Sequence, residues 1–543
     1  MSTEINLAPL DALQEGELRA FPTPHDGPEV LLVRHQGQYR AFAAHCPHYG
    51  APLEKGRVVH GQIVCPWHHA CFNATDGNLC EPPALDALPT FAVREAEGRV
   101  YVSVPDNPPA STDKPDETPT AEVGGAPLPA ASSAVVNQHV IAVVGGGAAG
   151  QMAAQTLREE GFAGRVVLLS ADAAIPYDRT KLSKAYLAGK AKPESLPLRE
   201  ENFYAKHHIE LLTNTRATGL DLEKKQVLLA DAAPLSYDQL LLAPGGTPNS
   251  LPKLPGHDLQ HVLLLRTQAD ADALVEAAKE SRYVVIVGSS FIGMEAASSL
   301  IGQDGRTVTV IAQEKEPFEK VLGPEVGKMF RTMHQEKGVQ FEAEAEVTEL
   351  TGQNGTVSGV RLKSGKELPA DLVVLGVGVR PATDFLKEAF QLEKDGGLQV
   401  DEYLQAAPGV YAAGDIAHFP ATTGNTLRIE HWRVAQQHGR VAARNLLGQQ
   451  VPYTAAPYFW TQQYGKSLRY AGHADEWDDI RYVGDVAKQD FLAFYVQNGQ
   501  VKAAAGMNHD PDMIYIEALL AANTMPAPAT ISEETNWQQL ATQ

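Results

Sequence analysis

HVIAVVGGGAAG, residues 139–150, joins five consecutive apolar residues to a run of glycines. The residues that follow, QMAAQTLREE from 151 to 160, have the composition of a helix. A strand, a glycine turn and a helix in this order let a bound pyrophosphate approach the helix N-terminus. We therefore predict a nucleotide-binding turn at Gly145, Gly147 and Gly150.

The same order of elements occurs a second time at YVVIVGSSFIGMEAASSL, residues 283–300. Here Gly288 and Gly293 keep their places, but Ser290 stands at the middle glycine. The duplication predicts an α/β architecture with two dinucleotide folds. Two such folds in one chain imply FAD in one and NAD(P)H in the other, since a plain dehydrogenase would need only one.

An acidic residue after the second strand of such a fold binds the ribose hydroxyl groups. After RVVLLS the acid is Asp172, displaced by one position from the usual pattern, and after RTVTVI it is Glu314. Both are candidate nucleotide contacts. The neighbouring Gln313 and Lys315 leave the choice between NADH and NADPH open.

Two short segments, CPHYG at 46–50 and CPWH at 65–68, predict a different kind of site. Thiolates and imidazoles suit iron, and two loops can clamp a [2Fe–2S] cluster with two cysteines on one iron and two histidines on the other. The predicted metal ligands are Cys46, His48, Cys65 and His68. A Cys₂His₂ zinc site uses the same ligand types and is the alternative, although zinc sites more often show C-x-x-C pairs.

The spacing C-x-H…C-x-x-H resembles the Rieske family over residues 1–103. In high-potential Rieske proteins an additional cysteine in each loop forms a disulfide, and the matching positions here are Ala51 and Trp67. The site therefore resembles the low-potential, ferredoxin-like branch. The other two cysteines, Cys71 and Cys80, are interpreted as buried thiols.

Composition divides the chain into segments. Alternation of apolar and polar residues predicts a small all-β domain at the N-terminus, and a stretch rich in Pro, Ala, Ser and Thr predicts a mobile linker after it. Strand-like alternation returns near the C-terminus, followed by one helix. The predicted divisions are a Rieske domain at 1–103, a linker at 104–138, an FAD-binding domain at 139–260 and 382–453, an NAD(P)H-binding domain at 261–381, an α+β domain at 454–525 and a loose tail at 526–543.

Three further segments resemble putidaredoxin-reductase-like and apoptosis-inducing-factor-like flavoproteins: PYDRTKLSK (176–184), LAPGG (242–246) and GVYAAGD (409–415). Two more, RIEHW (428–432) and YFW (458–460), resemble the segments that face the flavin ring in such proteins. The resemblance covers nearly the whole flavoprotein part. Together with the N-terminal module it indicates the Rieske-containing apoptosis-inducing-factor-like subfamily.

The resemblance implies roles for individual residues. It implies that Lys184 and Glu295 form an ion pair near flavin N5 and are the catalytic residues. It implies FAD contacts by Arg179, Lys184, Pro244, Gly245, Asp415, Glu430, His431, Trp432 and Trp460. The sequence departs from the family pattern at Ala171, at Thr180-Lys181, where Pro-Pro is common, and at Ser290.

The formal net charge is −21, so binding to nucleic acid is not expected. No apolar run predicts a membrane span, and the N-terminus lacks a signal pattern, so we expect a cytoplasmic protein. No cysteine follows Cys80, which argues against a redox-active disulfide in the flavoprotein part.

These observations predict a ferredoxin-reductase-type enzyme that passes electrons from NAD(P)H through FAD to a fused [2Fe–2S] cluster. We expect the linker to let the cluster domain move between the flavin and an external acceptor, which could be an oxygenase, a cytochrome P450, a ferredoxin or a cytochrome. The alternative is an NAD(P)H-sensing flavoprotein with poor turnover. The sequence leaves open the acceptor, the oligomeric state, with a homodimer among the options, and whether the cluster domain is mobile or docked.

Overall fold

The computed structural model describes residues 2–24, 27–105, 139–302, 305–421 and 426–542. The predicted linker lies outside these residues from position 106 onward. None of the helices in the described ranges is long and apolar enough to cross a membrane. The helices are α1 (Ala148–Glu159), α2 (Glu201–Lys206), α3 (Gln268–Glu280), α4 (Phe291–Leu300), α5 (Glu319–Glu336), α6 (Trp432–Leu446), α7 (Asp510–Ala521) and α8 (Trp537–Thr542).

The N-terminal domain is all-β, as predicted. Its strand Val30–His35 is buried on both faces, because Leu31 and Val33 pack toward the loops with the predicted metal ligands while Val30 and Leu32 pack toward the N-terminal strand. The larger antiparallel sheet contains, in spatial order, Ser2–Pro9, Arg99–Pro105, Thr90–Ala96, Gln38–Ala43, Val30–His35 and Leu18–Phe21. The smaller sheet contains Arg57–Val59, Gln62–Val64, Cys71–Asn73 and Leu79–Glu81.

A mostly parallel sheet forms around the first glycine turn. The apolar strand Val140–Val144 lies in its interior, since β-branched residues favour a strand that is covered on both faces. The strand Val410–Ala412 pairs with Gln239–Leu242, so two distant parts of the chain build one domain. The order is Ile209–Leu212, Arg165–Leu169, Val140–Val144, Gln239–Leu242, Val410–Ala412 and the antiparallel Gln405–Ala407.

A second parallel sheet forms around the second glycine turn. Its interior strand, Tyr283–Val287, leads directly into that turn and α4. The order is Val262–Leu263, Leu372–Leu375, Tyr283–Val287, Thr307–Ile311 and Gln340–Glu342. One smaller sheet contains Ala217–Asp221, Gln226–Leu229 and Leu235–Ser236, and another pairs Gly246–Pro248 with Val379–Pro381. A further sheet contains Val347–Gln353, Thr356–Leu362 and Glu367–Pro369. The last contains Leu398–Gln399, Ala417–Pro420 and Thr426–Leu427.

The C-terminal domain is α+β, with α7 packed on an antiparallel sheet. The order of the sheet is Tyr458–Gln463, Lys466–Gly472, Gln500–Met507, Asp490–Gln497 and Asp479–Asp485. The prediction of a loose tail at 526–543 is wrong for its described part. Ile531, Trp537 and Ala541 are buried in the core of this domain, and Trp537 stacks on Phe494 with 5.3 Å between ring centroids. These three apolar side chains anchor an otherwise polar segment.

The N-terminal domain packs directly against the rest of the molecule. Val59, Val64 and Cys71 of its smaller sheet belong to the same hydrophobic cluster as Tyr458 and Ile516 of the C-terminal domain. The structure therefore places the predicted metal-ligand loops at an interface between domains.

Candidate functional site

The two loops that carry the predicted metal ligands follow the same backbone path. The backbone N–H groups of Cys46 and Cys65 each donate to the carbonyl oxygen five residues later, at 2.9 Å. The residue four positions after each cysteine has a positive φ, 71° at Gly50 and 55° at His69. This turn reverses the chain and points both loops toward a shared space.

The four predicted ligands form two pairs in that space. His48 Nδ1 and His68 Nδ1 face each other at 3.0 Å, and the side chains of Cys46 and Cys65 contact each other without a disulfide. Two imidazole nitrogens about 3 Å apart can share one metal, because metal–imidazole bonds are about 2.1 Å long. One histidine pair and one cysteine pair are the donor sets of the two irons in a Rieske-type cluster.

The surroundings of the ligands suit metal binding. The sulfur of each cysteine accepts hydrogen bonds from the backbone N–H groups two and three residues later, which favour a thiolate, whereas burial and the neighbouring Cys65 raise the pKa of Cys46. Burial lowers the pKa of His48 to about 4 and also lowers the pKa of His68, so both rings are neutral and able to bind iron. Within the described ranges, no three His, Cys, Asp or Glu side chains are placed so that together they could hold one metal ion. The two separate pairs fit a two-iron cluster better than a zinc ion.

The remaining histidine and cysteines of these loops are not grouped with the ligands. The ring of His69 stacks on Tyr458 and hydrogen-bonds to Glu517, away from His48 and His68. Cys71 is buried, as predicted, whereas Cys80 is partly exposed.

One aromatic ring joins the metal-ligand loops to the C-terminal domain. The indole of Trp460 lies 4.2 Å from the ring of His68 and 6.3 Å from that of His48, measured between centroids. Trp460 was expected beside the flavin; among the residues that the structure describes, its closest ring is that of His68, a predicted metal ligand. Its neighbours in the same strand, Phe459 and Thr461, contact His431 and Glu295 respectively.

Tyr49 joins the metal-ligand loops to the segment PYDRTKLSK. Its ring stacks on His48 at 3.9 Å, and its hydroxyl donates to the carboxylate of Asp178. Thr180 Oγ1 lies 3.3 Å from the same hydroxyl, and Lys181 Nζ lies 5.2 Å from the ring centroid. The two positions that depart from the family pattern in this segment are therefore in contact with the N-terminal domain.

The first glycine turn fits a nucleotide. Gly145 has a φ of 119°, and a Cβ there would lie 2.0 Å from Ala243 O. A Cβ on Gly150 would lie 1.8 Å from Gly145 O, so the helix can approach the strand only without one. A Cβ on Gly147, by contrast, would meet no protein atom within 4 Å, which leaves space at the start of α1 for a phosphate group.

Charged side chains surround the space beyond this turn. Asp172 Oδ2 accepts hydrogen bonds from Tyr177 Oη and Arg179 Nη2, both at 2.9 Å. Asp415 Oδ2 accepts from Arg266 Nη2 at 2.5 Å, and Arg179 donates to the backbone carbonyl of Arg266. Arg266 was not predicted as a site residue, because a single arginine between a strand and a helix has no distinctive spacing.

The Pro244-Gly245 turn lies beside the same charged side chains. A Cβ on Gly245, whose φ is 73°, would lie 3.5 Å from Arg266 Nη2 and 3.9 Å from Asp415 Oδ2. The nitrogen of Pro244 also lies close to the first glycine turn, since a Cβ added to Gly145 would be 3.1 Å from it. Three separate segments thus meet at the carboxyl ends of the parallel strands, where ligands bind in such sheets.

The second glycine turn has the same form. A Cβ on Gly288 would lie 2.2 Å from Gly376 O, and one on Gly293 would lie 2.4 Å from Gly288 O. Ser290 has extended backbone angles, φ −80° and ψ 179°, and its hydroxyl donates to Gly376 O at 3.2 Å. Serine is tolerated there because no left-handed conformation is required. Glu314, after the next strand, pairs with Lys320 at 2.5 Å.

Lys184 and Glu295 form the predicted ion pair, with Nζ and Oε2 2.8 Å apart. Lys184 lies in a π-helical turn at Leu182–Tyr186 with non-helical angles, φ −114° and ψ −108°. Glu295 is 3% exposed, and its carboxylate also accepts from Ser183 Oγ at 2.5 Å and Thr461 Oγ1 at 2.7 Å. Ser183 and Thr461 were not predicted, since nothing in their local sequence marks them.

The segment Glu430-His431-Trp432 leads into α6. Glu430 pairs with Arg428 at 2.5 Å, and Trp432 is the first residue of the helix. Burial lowers the pKa of His431 to about 3, and its Nδ1 has no hydrogen-bond partner among the residues that the structure describes. A buried ring nitrogen of this kind fits a polar edge of a bound cofactor.

Comparisons with known proteins agree with this geometry. The Rieske [2Fe-2S] domain matches residues 4–92, and the pyridine nucleotide-disulphide oxidoreductase family matches residues 139–439, more than half of the chain. The chain belongs to the pyridine nucleotide-disulphide oxidoreductase family. The reductase C-terminal domain matches residues 458–539, which includes most of the segment expected to be a loose tail.

Relatives of this oxidoreductase cover between 73% and 91% of its length. Apoptosis-inducing factor 3 of Homo sapiens is 40% identical over 498 residues, 91% of this chain and 80% of the relative. Putidaredoxin reductase CamA of Pseudomonas putida is 33% identical over 73% of this chain and 95% of its own. The ferredoxin reductase for the CYP199A2 system from Rhodopseudomonas palustris has a TM-score of 0.71 at 31% identity and covers 75% of this chain and all of its own.

The covalent putidaredoxin reductase–putidaredoxin complex has a TM-score of 0.70 at 31% identity, covering 74% of this chain and 98% of its own. The predicted fold class and family resemblance are therefore confirmed. So are FAD, NAD(P)H and a [2Fe–2S] cluster as cofactors. This oxidoreductase is an FAD-dependent enzyme of the ferredoxin-reductase type with a fused Rieske domain, and it passes electrons from NAD(P)H through FAD to that domain.

Proposed function

We propose that the chain passes electrons along one strand of its C-terminal domain to the Rieske site and then to an external one-electron acceptor. The observation that carries this proposal is the strand Tyr458–Gln463. Within it Thr461 bonds to Glu295, Phe459 contacts His431, and Trp460 lies 4.2 Å from His68. Consecutive side chains of one strand thus contact both the expected flavin environment and a ligand of the cluster.

The residues proposed to hold FAD are those that meet beside the first glycine turn. The turn itself leaves space for the pyrophosphate at Gly147, and Asp415 and Arg179 offer charged groups near it. When bound, FAD accepts a hydride from NAD(P)H and can release the electrons singly. The proposed FAD contacts are Gly145, Gly147, Gly150, Asp172, Arg179, Lys184, Pro244, Gly245, Asp415, Glu430, His431, Trp432 and Trp460.

The Lys184–Glu295 pair is proposed to orient the flavin and to hold a positive charge beside it. The carboxylate of Glu295 accepts bonds from Lys184, Ser183 and Thr461, which fix the position of the Lys184 ammonium group. A fixed ammonium group can donate a hydrogen bond to the edge of the flavin ring, which gains electrons when the flavin is reduced. Both residues are therefore assigned as catalytic.

The second glycine turn is proposed to bind NAD(P)H. Gly288 and Gly293 allow the close approach of strand and helix, and Ser290 occupies the start of α4. Glu314 lies after the adjacent strand, where an acid can bind ribose hydroxyl groups. Its pairing with Lys320 holds the carboxylate in that place.

The external acceptor is proposed to be a soluble redox protein in the cytoplasm: an oxygenase, a cytochrome P450, a ferredoxin or a cytochrome. The net charge of −21 supports an acceptor with a basic docking surface and argues against nucleic acid as a partner. The name of the relative putidaredoxin reductase supports a ferredoxin-type protein. An NAD(P)H sensor is the second candidate, supported by the similarity to apoptosis-inducing factor 3.

Two artificial acceptors test the relay. Ferricyanide can take electrons from a flavin directly, whereas cytochrome c serves as the bulky one-electron acceptor. We expect Cys46→Ser to abolish NADH-dependent reduction of cytochrome c while at least half of the ferricyanide activity remains. Cys80→Ser, in the same domain but outside the ligand pairs, is the matched control and should change neither rate. Unchanged cytochrome c reduction by Cys46→Ser would exclude the cluster from the path, and wild-type protein that turns over neither acceptor would favour a sensor.

A further inference from the structure

A carboxylate of α7, Glu517, lies at the interface between the Rieske domain and the flavoprotein, and 12% of its side chain is exposed. One of its oxygens accepts a hydrogen bond from His69 Nδ1 of the Rieske domain. The other accepts from Arg433 Nη1 at 2.5 Å, in α6 of the FAD-binding domain. The side chains of His69 and Arg433 are 0% and 2% exposed. A single side chain of the C-terminal domain thus binds one residue from each of the two redox domains.

Both partners of Glu517 lie next to residues of the electron path. His69 directly follows the predicted ligand His68, and its ring is held by stacking on Tyr458 at 4.2 Å. Arg433 directly follows Trp432, and its Nε donates to the carbonyl oxygen of Pro82 in the Rieske domain at 2.9 Å. Glu517 therefore holds in place the backbone beside His68 in the Rieske domain and beside Trp432 in the FAD-binding domain.

The surroundings of Glu517 favour a permanent contact over a transient one. Arg469, 6% exposed, forms an ion pair with Asp510 and also donates to the carbonyl oxygens of Pro66 and Trp67 at 3.2 Å. Apolar residues of the two domains share one hydrophobic cluster beside these bonds. Relative motion is the default unless a domain interface is large and hydrophobic. Separation here would break several buried charge-assisted bonds at once.

We propose that Glu517 is a positioning residue that fixes the Rieske domain against the flavoprotein, so that electrons reach the cluster without domain movement. The proposal rests on the electron relay described above and adds how the two redox centres are held together. It replaces the expectation that the linker carries a moving domain between flavin and acceptor.

The length of the linker tests this directly in the full-length holoprotein. A second copy of residues 106–138 inserted after the first doubles the linker. A domain that must diffuse to the flavin would lose effective concentration as about the −3/2 power of linker length, so cluster reduction by NADH would slow about threefold. A fixed domain should give the same rate within experimental error. If doubling the linker slows cluster reduction by NADH about threefold in the otherwise wild-type protein, the proposal is overturned.

Glu517→Gln supplies the second arm, because it keeps the shape of the side chain and removes its charge. We expect normal flavin reduction and normal iron content, but cluster reduction at least about threefold slower, and a further threefold loss when the linker is doubled. Asp512→Asn is the matched control: it makes the same change of charge in the same helix, where Asp512 bonds to His509 of its own domain. It should behave as wild type at both linker lengths.

Backbone hydrogen exchange gives a readout that does not depend on activity. Amides of residues 67–70 should exchange faster in Glu517→Gln than in wild type or Asp512→Asn, because the loop is released from the interface. Glu517→Gln that matches wild type in exchange and in linker dependence would refute the assigned role. If Glu517→Gln does not fold, the comparison of the two linker lengths in the otherwise wild-type protein still decides whether the Rieske domain is fixed against the flavoprotein. Absence of any cluster reduction by NADH in wild type would instead contradict the relay itself, a distinct result.

Discussion

Replacing Glu295 with glutamine tests the assignment of the catalytic pair. The carboxylate is 3% exposed and accepts from Lys184 at 2.8 Å, Ser183 at 2.5 Å and Thr461 at 2.7 Å. Glutamine has one acceptor oxygen instead of two and no charge; its oxygen can still face Lys184, and its NH2 group can then donate to Thr461 Oγ1. The negative charge opposite the Lys184 ammonium is lost in either orientation.

A hydrogen bond to a charged group contributes about 1.5–3 kcal/mol. If the pair acts mainly in the transition state of hydride transfer, this loss slows flavin reduction by roughly 10- to 150-fold, at about 1.4 kcal/mol per tenfold. FAD should stay bound, because the glycine turn and Asp415 lie elsewhere. Anaerobic stopped-flow mixing with NADH, following flavin bleaching, measures the rate.

Two comparisons make the result specific. Glu276→Gln disrupts an exposed ion pair with Lys279 and should change the rate less than twofold, since exposed pairs contribute little. Lys184→Met should be as slow as Glu295→Gln, and the double variant no slower than either, because the residues act as one unit. Flavin reduction by Glu295→Gln at the wild-type rate would remove the pair from the chemistry.

Four other changes have distinct expected results. Gly145→Ala should fold poorly, because a Cβ would lie 2.0 Å from Ala243 O. Gly147→Ala should keep its melting temperature but lose FAD affinity, since its Cβ meets only the space proposed for the cofactor. Calorimetry measures the first effect, and flavin titration measures the second. Trp460→Leu should slow cluster reduction at least about tenfold in stopped-flow experiments, and more than it slows flavin reduction, because misplaced redox partners react more slowly; cluster reduction at the wild-type rate would exclude the indole from the path. Glu314→Ala should raise KM for the nicotinamide nucleotide more than it lowers kcat, and an unchanged KM would place the ribose elsewhere.

The parts of the site with a local signature were predictable from sequence. The strand–glycine–helix order located both turns, and the spacing of Cys46, His48, Cys65 and His68 located four side chains that the structure brings together, because one short loop sets each geometry. The Lys184–Glu295 pair joins residues far apart in the chain and was predicted through a family resemblance.

Contacts between domains were not predictable in the same way. Tyr49 with Asp178 and Glu517 with His69 join residues of separate segments, and no spacing within one segment specifies its partner, because each contact exists only after separate domains have packed together. Composition was misleading at the C-terminus, where three separated apolar side chains, Ile531, Trp537 and Ala541, anchor the segment. A few buried residues at such spacing produce no periodic pattern to detect.

The relay itself is tested most directly by anaerobic titration of the purified protein with NADH, followed by electron paramagnetic resonance. The account predicts that flavin bleaching is followed by the signal of a reduced Rieske-type cluster, integrating to about one spin per chain. Bleached flavin with no such signal from a protein that contains iron, or zinc in place of iron at the four ligands, would contradict it.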